Sequence, residues 1–406
     1  MSNKFGIYIH VPYCTKICPY CNFNVNSSST ADYEMLKKLI LKDLRTKAYL
    51  FNNKSIESVH FGGGTPSLLG ANLIERILIE IKKIYSFHPD CEVGIEINPY
   101  DTEVEDFEKL SEIGINRVSI GIQSFNNYKL KTLGRNSTKE SNYRFIKKIS
   151  NSKIKNISFD FIFGVNDESL EQWEEEFSYL SEMDIKHMST YCLTIEEKTP
   201  FWNMRERGKI REVLDDTFVE MTIITRKKLE KIGLNQYEIS NFSKPQYESK
   251  HNLLYWNCDS YLGLGPGAHS SLINTNEKKY YRWKNPNSLT EYEKSISNSF
   301  EISKLNSFSI GIKEYIKDSF MMGLRLKKGI NIDSLKSIQN FKFDGENIES
   351  TIALPPAISL SLLLAKMKDW IPLTSNLNRY FMLLPELVLL SIHNDVISKS
   401  KYLNNL

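Results

Sequence analysis

YIHVPYCTKICPYCNF, running from Tyr8 to Phe23, starts as an apolar strand and within a few residues becomes a loop carrying Cys14, Cys18 and Cys21. The compact run FGIYIHV at its head reads as a strand buried on both faces, and five similar runs follow: SVHFGG, EVGIEIN, RVSIGIQS, NISFDFIFG and HMSTYCLTI. Between them, the segments 32–50, 72–85, 103–113, 139–149 and 169–183 carry apolar residues three and four apart, the period of an amphipathic helix. Alternation of this kind implies parallel strands with right-handed crossovers. Six units predict an α/β fold, a partial (β/α)6 barrel, because a closed barrel needs eight.

In such a barrel, chemistry gathers at the carboxyl ends of the strands. The unusual residues of this chain fall there: the cysteines after the first strand, GGGTPS (Gly62–Ser67) after the second, Glu96 and Asn98 closing the third, Gln123 after the fourth, and Asp160 inside the fifth. A helix is predicted over Leu214–Lys231. The polar, aromatic and glycine-rich stretch QYEISNFSKPQYESKHNLLYWNCDSYLGLGPGAHSS then reads as a structured loop closing over a site. The chain thus divides into a core over 1–235, a closing segment over 236–300 and a smaller, mostly helical C-terminal domain over 301–406.

Composition narrows the function. Among 406 residues, 52 are basic and 49 acidic, giving a net charge of +3, so no polyanion-binding surface and no nucleic-acid partner is implied. The N-terminus lacks the apolar core of a signal peptide, which predicts a cytoplasmic protein. Two late apolar stretches, TIALPPAISLSLLLA and YFMLLPELVLLSI, contain proline and fall short of the roughly 20 residues of a spanning helix. They predict buried helices rather than an integral membrane segment. Six cysteines in a reducing compartment do not make a disulfide framework, and Cys91, Cys192 and Cys258 read as small buried hydrophobes.

The three clustered thiols need a different account. A structural zinc site takes four protein ligands, and only His10 lies near enough in sequence to complete one. A [4Fe–4S] cluster on three thiolates leaves one iron open to a small molecule, and this reading is favoured over zinc. The glycines of GGGTPS allow either a tight turn or a backbone cradle for a ligand, and the absence of a following Lys-Ser/Thr excludes a P-loop. Glu96, Gln123, Arg135 and Asp160 are each able to cap or pair locally. Converging, they suit an amino acid moiety and a ribose.

The cysteine loop, GGGTPS, EINP, RVSIGIQSF, LGR, FDFIFG and YCLTIEEKTPF, in this order, resemble the radical S-adenosylmethionine superfamily. More narrowly they resemble the group of oxygen-independent coproporphyrinogen III oxidases (HemN) and related heme chaperones (HemW), strongly over about residues 5–285. The resemblance implies that Cys14, Cys18 and Cys21 ligate a [4Fe–4S] cluster whose open iron binds S-adenosylmethionine, which on reduction yields a 5′-deoxyadenosyl radical. It places Tyr8, Gly63, Gly64, Thr65 and Glu96 around that cofactor, and Gln123, Arg135 and Asp160 at positions that meet a second S-adenosylmethionine in the oxidases.

The short stretch before Cys14, and Phe23 where the oxidases carry a further cysteine, favour the chaperone branch. HNLLYW (His251–Trp256) matches the H-N-x-x-Y-W motif associated there with heme binding, which makes His251 the candidate heme ligand and His269 in YLGLGPGAHSS a secondary one. Asn136 and Ser137 after LGR, and the C-terminal LTSNLNRY, depart from the family pattern. The implied partners are heme, a heme-acceptor protein, an electron donor for the cluster and a second copy of the chain. The competing readings are a coproporphyrinogen III dehydrogenase and a non-catalytic zinc or iron–sulfur module.

Overall fold

A computed structural model describes residues 4–101, 104–180, 183–274, 279–296, 309–310 and 312–329. The six expected strands form: β1 (Lys4–Val11), β2 (Ser55–Gly63), β3 (Phe87–Ile97), β4 (Arg117–Gln123), β5 (Asn156–Phe163) and β6 (His187–Cys192), all parallel and paired in chain order. Strand alternation sorts their side chains into two layers. In β1, Phe5, Ile7, Ile9 and Val11 are 0% exposed. This outer row meets the helical layer, where Phe5 stacks on Phe51 at 4.6 Å and meets Tyr85 edge-on. Helices Tyr33–Lys47 and Gly70–Ile84 answer with buried stripes, among them Leu36, Ile40 and Leu44 and Ile74, Ile77 and Ile81. Each such side chain contributes on the order of 1.5–3 kcal/mol. Gly6, Tyr8 and His10 face the other way, into the barrel.

The expected helix over 139–149 forms as Lys139–Ile149, started by a Thr138/Ser141 capping box. The one over 32–50 stops at Lys47 and finishes as a 3₁₀ turn, Ala48–Phe51.

The stretch read as a closing loop is organised quite differently. Asn241–Ser243 pairs antiparallel with β6 and with Asn235–Gln236. Lys250–Trp256 is a helix, and Tyr261–Leu264 runs parallel to β1 on its free side. Beyond it lie the antiparallel strands His269–Asn274 and Lys279–Lys284, then Ser309–Ile310. Among the described residues the sheet therefore has twelve strands, extended past both edges of the barrel. The physical reason is that these short, polar and glycine-rich runs cannot satisfy their own backbone groups and do so on the exposed edges of β1 and β6.

Met1–Ile310 forms one compact unit and Gly311–Leu406 another. In the second, the helix Ile312–Gly323 buries Tyr315 and Ser319. The two late apolar stretches lie outside the described residues. No described helix is long and apolar enough to cross a membrane.

Candidate functional site

The cysteine loop is clamped at its base. Tyr13 and Cys14 bridge to Asn26 and Ser27, and the Asn26 amide donates to the Pro12 carbonyl at 2.7 Å. The glycine turn after β2 is tied to the same segment by Gly64 N–H to Val11 (2.9 Å) and Thr65 N–H to Tyr13 (2.8 Å). A Cβ on Gly64 would stand 2.5 Å from the Tyr13 carbonyl oxygen and 3.0 Å from Cys14 Sγ, so only glycine lets the two loops close. The Thr65 hydroxyl donates to Cys14 Sγ at 3.7 Å and Arg135 Nη1 to Cys18 Sγ at 3.4 Å. All three are free cysteines. Burial pushes the Cys14 thiol up to about 11 and raises Cys21, so in the absence of metal they stay protonated. Among the described residues no three His, Cys, Asp or Glu side chains gather round a single ion. Hydrogen-bond donors aimed at two of the sulfurs suit thiolates that ligate a cluster.

Beneath the loop, Glu96 accepts from the Gly63 amide at 3.2 Å and pairs with His60 Nε2 at 3.1 Å. A side chain on Gly62 would fill the space between Tyr8 and Glu96, at 2.8 and 2.9 Å. Asn98 links two parts of the site, donating to Thr65 Oγ1 at 2.8 Å and accepting from Arg135 Nη2 at 2.7 Å. Arg135 also donates to the Gly121 carbonyl and lies over the Tyr100 ring. Pairing slips at the end of β4, where Gln123 takes φ +66°, the kind of bulge that re-aims a side chain. Asp160 accepts from the Ser119 hydroxyl, and burial raises its carboxyl to about 6.

Tyr8, Gly64, Glu96, Gln123, Arg135 and Asp160 all keep partial exposure, while Arg135 Nε and His60 Nδ1 are buried without a partner. Three thiols, a backbone cradle, a carboxylate, a guanidinium with an unused donor and two hydroxyl-binding groups fit a [4Fe–4S] cluster with S-adenosylmethionine. Sequence reasoning missed His60. Its signal was the period-two placement with Ser58 and Gly62 on the inner face of β2.

Two further histidines are buried with both ring nitrogens engaged. His10 is buried, its Nδ1 on the Tyr8 hydroxyl (3.0 Å) and its Nε2 on the Asn24 carbonyl (2.8 Å), so it does not complete a zinc site. His251, the candidate heme ligand, is 1% exposed at the opposite end of the barrel. Its Nδ1 bonds Ser58 Oγ at 2.8 Å, its Nε2 bonds the Tyr255 hydroxyl at 2.7 Å, and its ring stacks on His60 at 4.9 Å. Its amide and that of Lys250 donate to Glu92, which also faces Arg117 at 3.6 Å. Burial, then neighbouring His60, holds the imidazole neutral. HNLLYW thus packs into the barrel floor, with both ring nitrogens of its histidine on hydroxyl groups. His269 is exposed, opposite Lys284 in the edge hairpin.

Comparison with known proteins bears on the family and the fold. Residues 8–180 match the radical SAM superfamily model. A heme chaperone HemW of Bacillus subtilis is 31% identical over 80% of this chain and 84% of its own length. A heme chaperone HemW of Lactococcus lactis is 29% identical over 85% and 88%. Among solved structures, the Escherichia coli coproporphyrinogen III oxidase HemN, described as a radical SAM enzyme, superposes with TM-score 0.69 at 18% identity, covering 91% of this chain and 84% of that one, which shows a shared fold.

Proposed function

The chain belongs to the HemW family within the radical SAM superfamily, and we propose that it is a heme chaperone that binds heme and passes it to an acceptor protein. The observation that carries this reading is identity above 30% to heme chaperones over four-fifths of the chain. The site supports it: Cys14, Cys18 and Cys21 would hold the cluster, with Tyr8, Gly63, Gly64, Thr65 and Glu96 around S-adenosylmethionine. When bound, this pair supplies one-electron chemistry at a sulfonium, for which an electron donor protein is required.

The chain's own groups do the holding. Glu96, kept in place by His60 and the Gly63 amide, presents a carboxylate for the ammonium group. Arg135 presents a guanidinium whose Nε is unused. Gln123 and Asp160 present acceptors further along the sheet, where a second S-adenosylmethionine would lie. A cytoplasmic location and a homodimer complete the proposal, with the core over 1–235 carrying the cluster.

The test is delivery. Anaerobically reconstituted protein loaded with heme is mixed with an apo-hemoprotein, and transfer is followed by absorbance. The chaperone reading predicts transfer and no oxidation of coproporphyrinogen III. Conversion of coproporphyrinogen to protoporphyrinogen, without transfer, would establish the dehydrogenase instead.

A further inference from the structure

Gln123, at the barrel mouth, has a φ of +66°, in the left-handed region that a residue other than glycine enters at a cost. The bend lays its side chain over bare backbone. A Cβ on Gly121 would fall 2.8 Å from Gln123 Nε2, 3.1 Å from Arg135 Nη2 and 3.2 Å from Asn98 Oδ1. The Gln123 amide therefore lies beside two groups of the S-adenosylmethionine cradle, over a position that only glycine leaves open.

Resting on the reading of that cradle as an S-adenosylmethionine site, we infer that Asn142 and Glu176 are positioning residues, a buried clamp that holds residues 122–125 in the strained bend and so aims Gln123 at the cofactor. Both stand on helices outside the strands, Asn142 within Lys139–Ile149 and Glu176 at the end of Leu170–Glu176. Asn142 is 0% exposed, and its Nδ2 donates to the carbonyls of Ile122 and Ser124, each at 3.1 Å. These are the residues on either side of Gln123. The Ser124 amide closes the bend back onto the Ile122 carbonyl at 2.9 Å.

Glu176 grips the exit of the bend. It is 2% exposed and accepts from the Phe125 amide at 2.6 Å and from the Ser124 hydroxyl. Lys129 Nζ fixes the carboxylate in turn, 3.3 Å from Glu176 and 2.5 Å from Glu168. Asn142 makes its two bonds while its own Oδ1 is buried without a partner. An apolar side chain of the same size would pack a helix on a sheet without that cost, so the bend is what the amide serves. A strained backbone held from two helices keeps the Gln123 amide in one place before the ligand arrives.

The test is a double-mutant cycle on the full-length, anaerobically reconstituted protein, read as S-adenosylmethionine affinity by equilibrium dialysis, with iron–sulfur absorbance per chain as the control for folding. Gln123→Ala should weaken binding about three- to tenfold, the loss of one hydrogen bond. Asn142→Leu and Glu176→Gln should each weaken it to a similar extent with the cluster fully loaded. In the Gln123→Ala background neither should weaken it further, because the clamp acts through that side chain alone. The inference is overturned if Gln123→Ala binds as wild type does, if both clamp variants bind as wild type does, or if their effects add to that of Gln123→Ala. Failure of both clamp variants to load the cluster would assign the pair to the fold and overturn it equally. A wild-type protein that loads its cluster and binds no S-adenosylmethionine would overturn the reading of the cradle itself, a result distinct from these.

Discussion

The two ends of the barrel are built from the same residue types and used in opposite ways. At the floor, Glu92, Arg117, Ser58 and His251 are each 5% exposed or less and joined by hydrogen bonds or an ion pair. At the mouth, Glu96, Arg135 and Asp160 stay partly exposed, and Arg135 keeps a buried donor without a partner. A polar residue in a barrel interior therefore says little about function until its partners are counted. Closed networks hold the strands, and open ones wait for a ligand.

Breaking the mouth should erase chemistry and spare the fold. Cys14→Ala, Cys18→Ala or Cys21→Ala should abolish cluster binding, read as loss of visible iron–sulfur absorbance after reconstitution, with the circular dichroism of the chain retained. Breaking the floor should do the reverse. Glu92→Ala leaves Arg117 buried without its carboxylate and removes the acceptor of two helix amides, so about 3–5 kcal/mol of stability is expected to go, measured by urea unfolding. His251→Ala strands the Ser58 and Tyr255 hydroxyls and should cost about 1–3 kcal/mol in the same assay, while cluster loading persists.

The smallest effect sharpens the contrast through pH. Asp160 is raised by burial from 3.8 to about 6, so the folded chain holds its proton more tightly than the unfolded one. Its favourable contribution is present below pH 3.8 and lost as pH rises through about 6. Asp160→Asn should therefore gain melting temperature relative to wild type at pH 7.5 and lose that gain at pH 4, by no more than about 3 kcal/mol. A difference independent of pH would contradict a raised carboxyl.

Much of the mouth was legible in the sequence because its signals are local: three thiols in one loop, three consecutive glycines, and chemistry placed just after apolar strand runs. The floor was not. In EVGIEIN, Glu92 and Glu96 sit on the same face of β3, and alternation cannot say which end meets a ligand and which caps a helix from 158 residues away. The closing segment failed for a related reason. Its strands are two to six residues long and exist only because the edges of β1 and β6 supply their partners. HNLLYW shows both limits, since a histidine beside aromatic residues has one composition whether it binds iron or plugs a barrel.

A cluster-bearing barrel of this family is expected to carry heme. Titration of the anaerobically reconstituted protein with heme, followed in the Soret region, tests it most directly. A saturable, stoichiometric shift is predicted, released on addition of an apo-acceptor. A fully loaded cluster with no Soret shift at any heme concentration would contradict it.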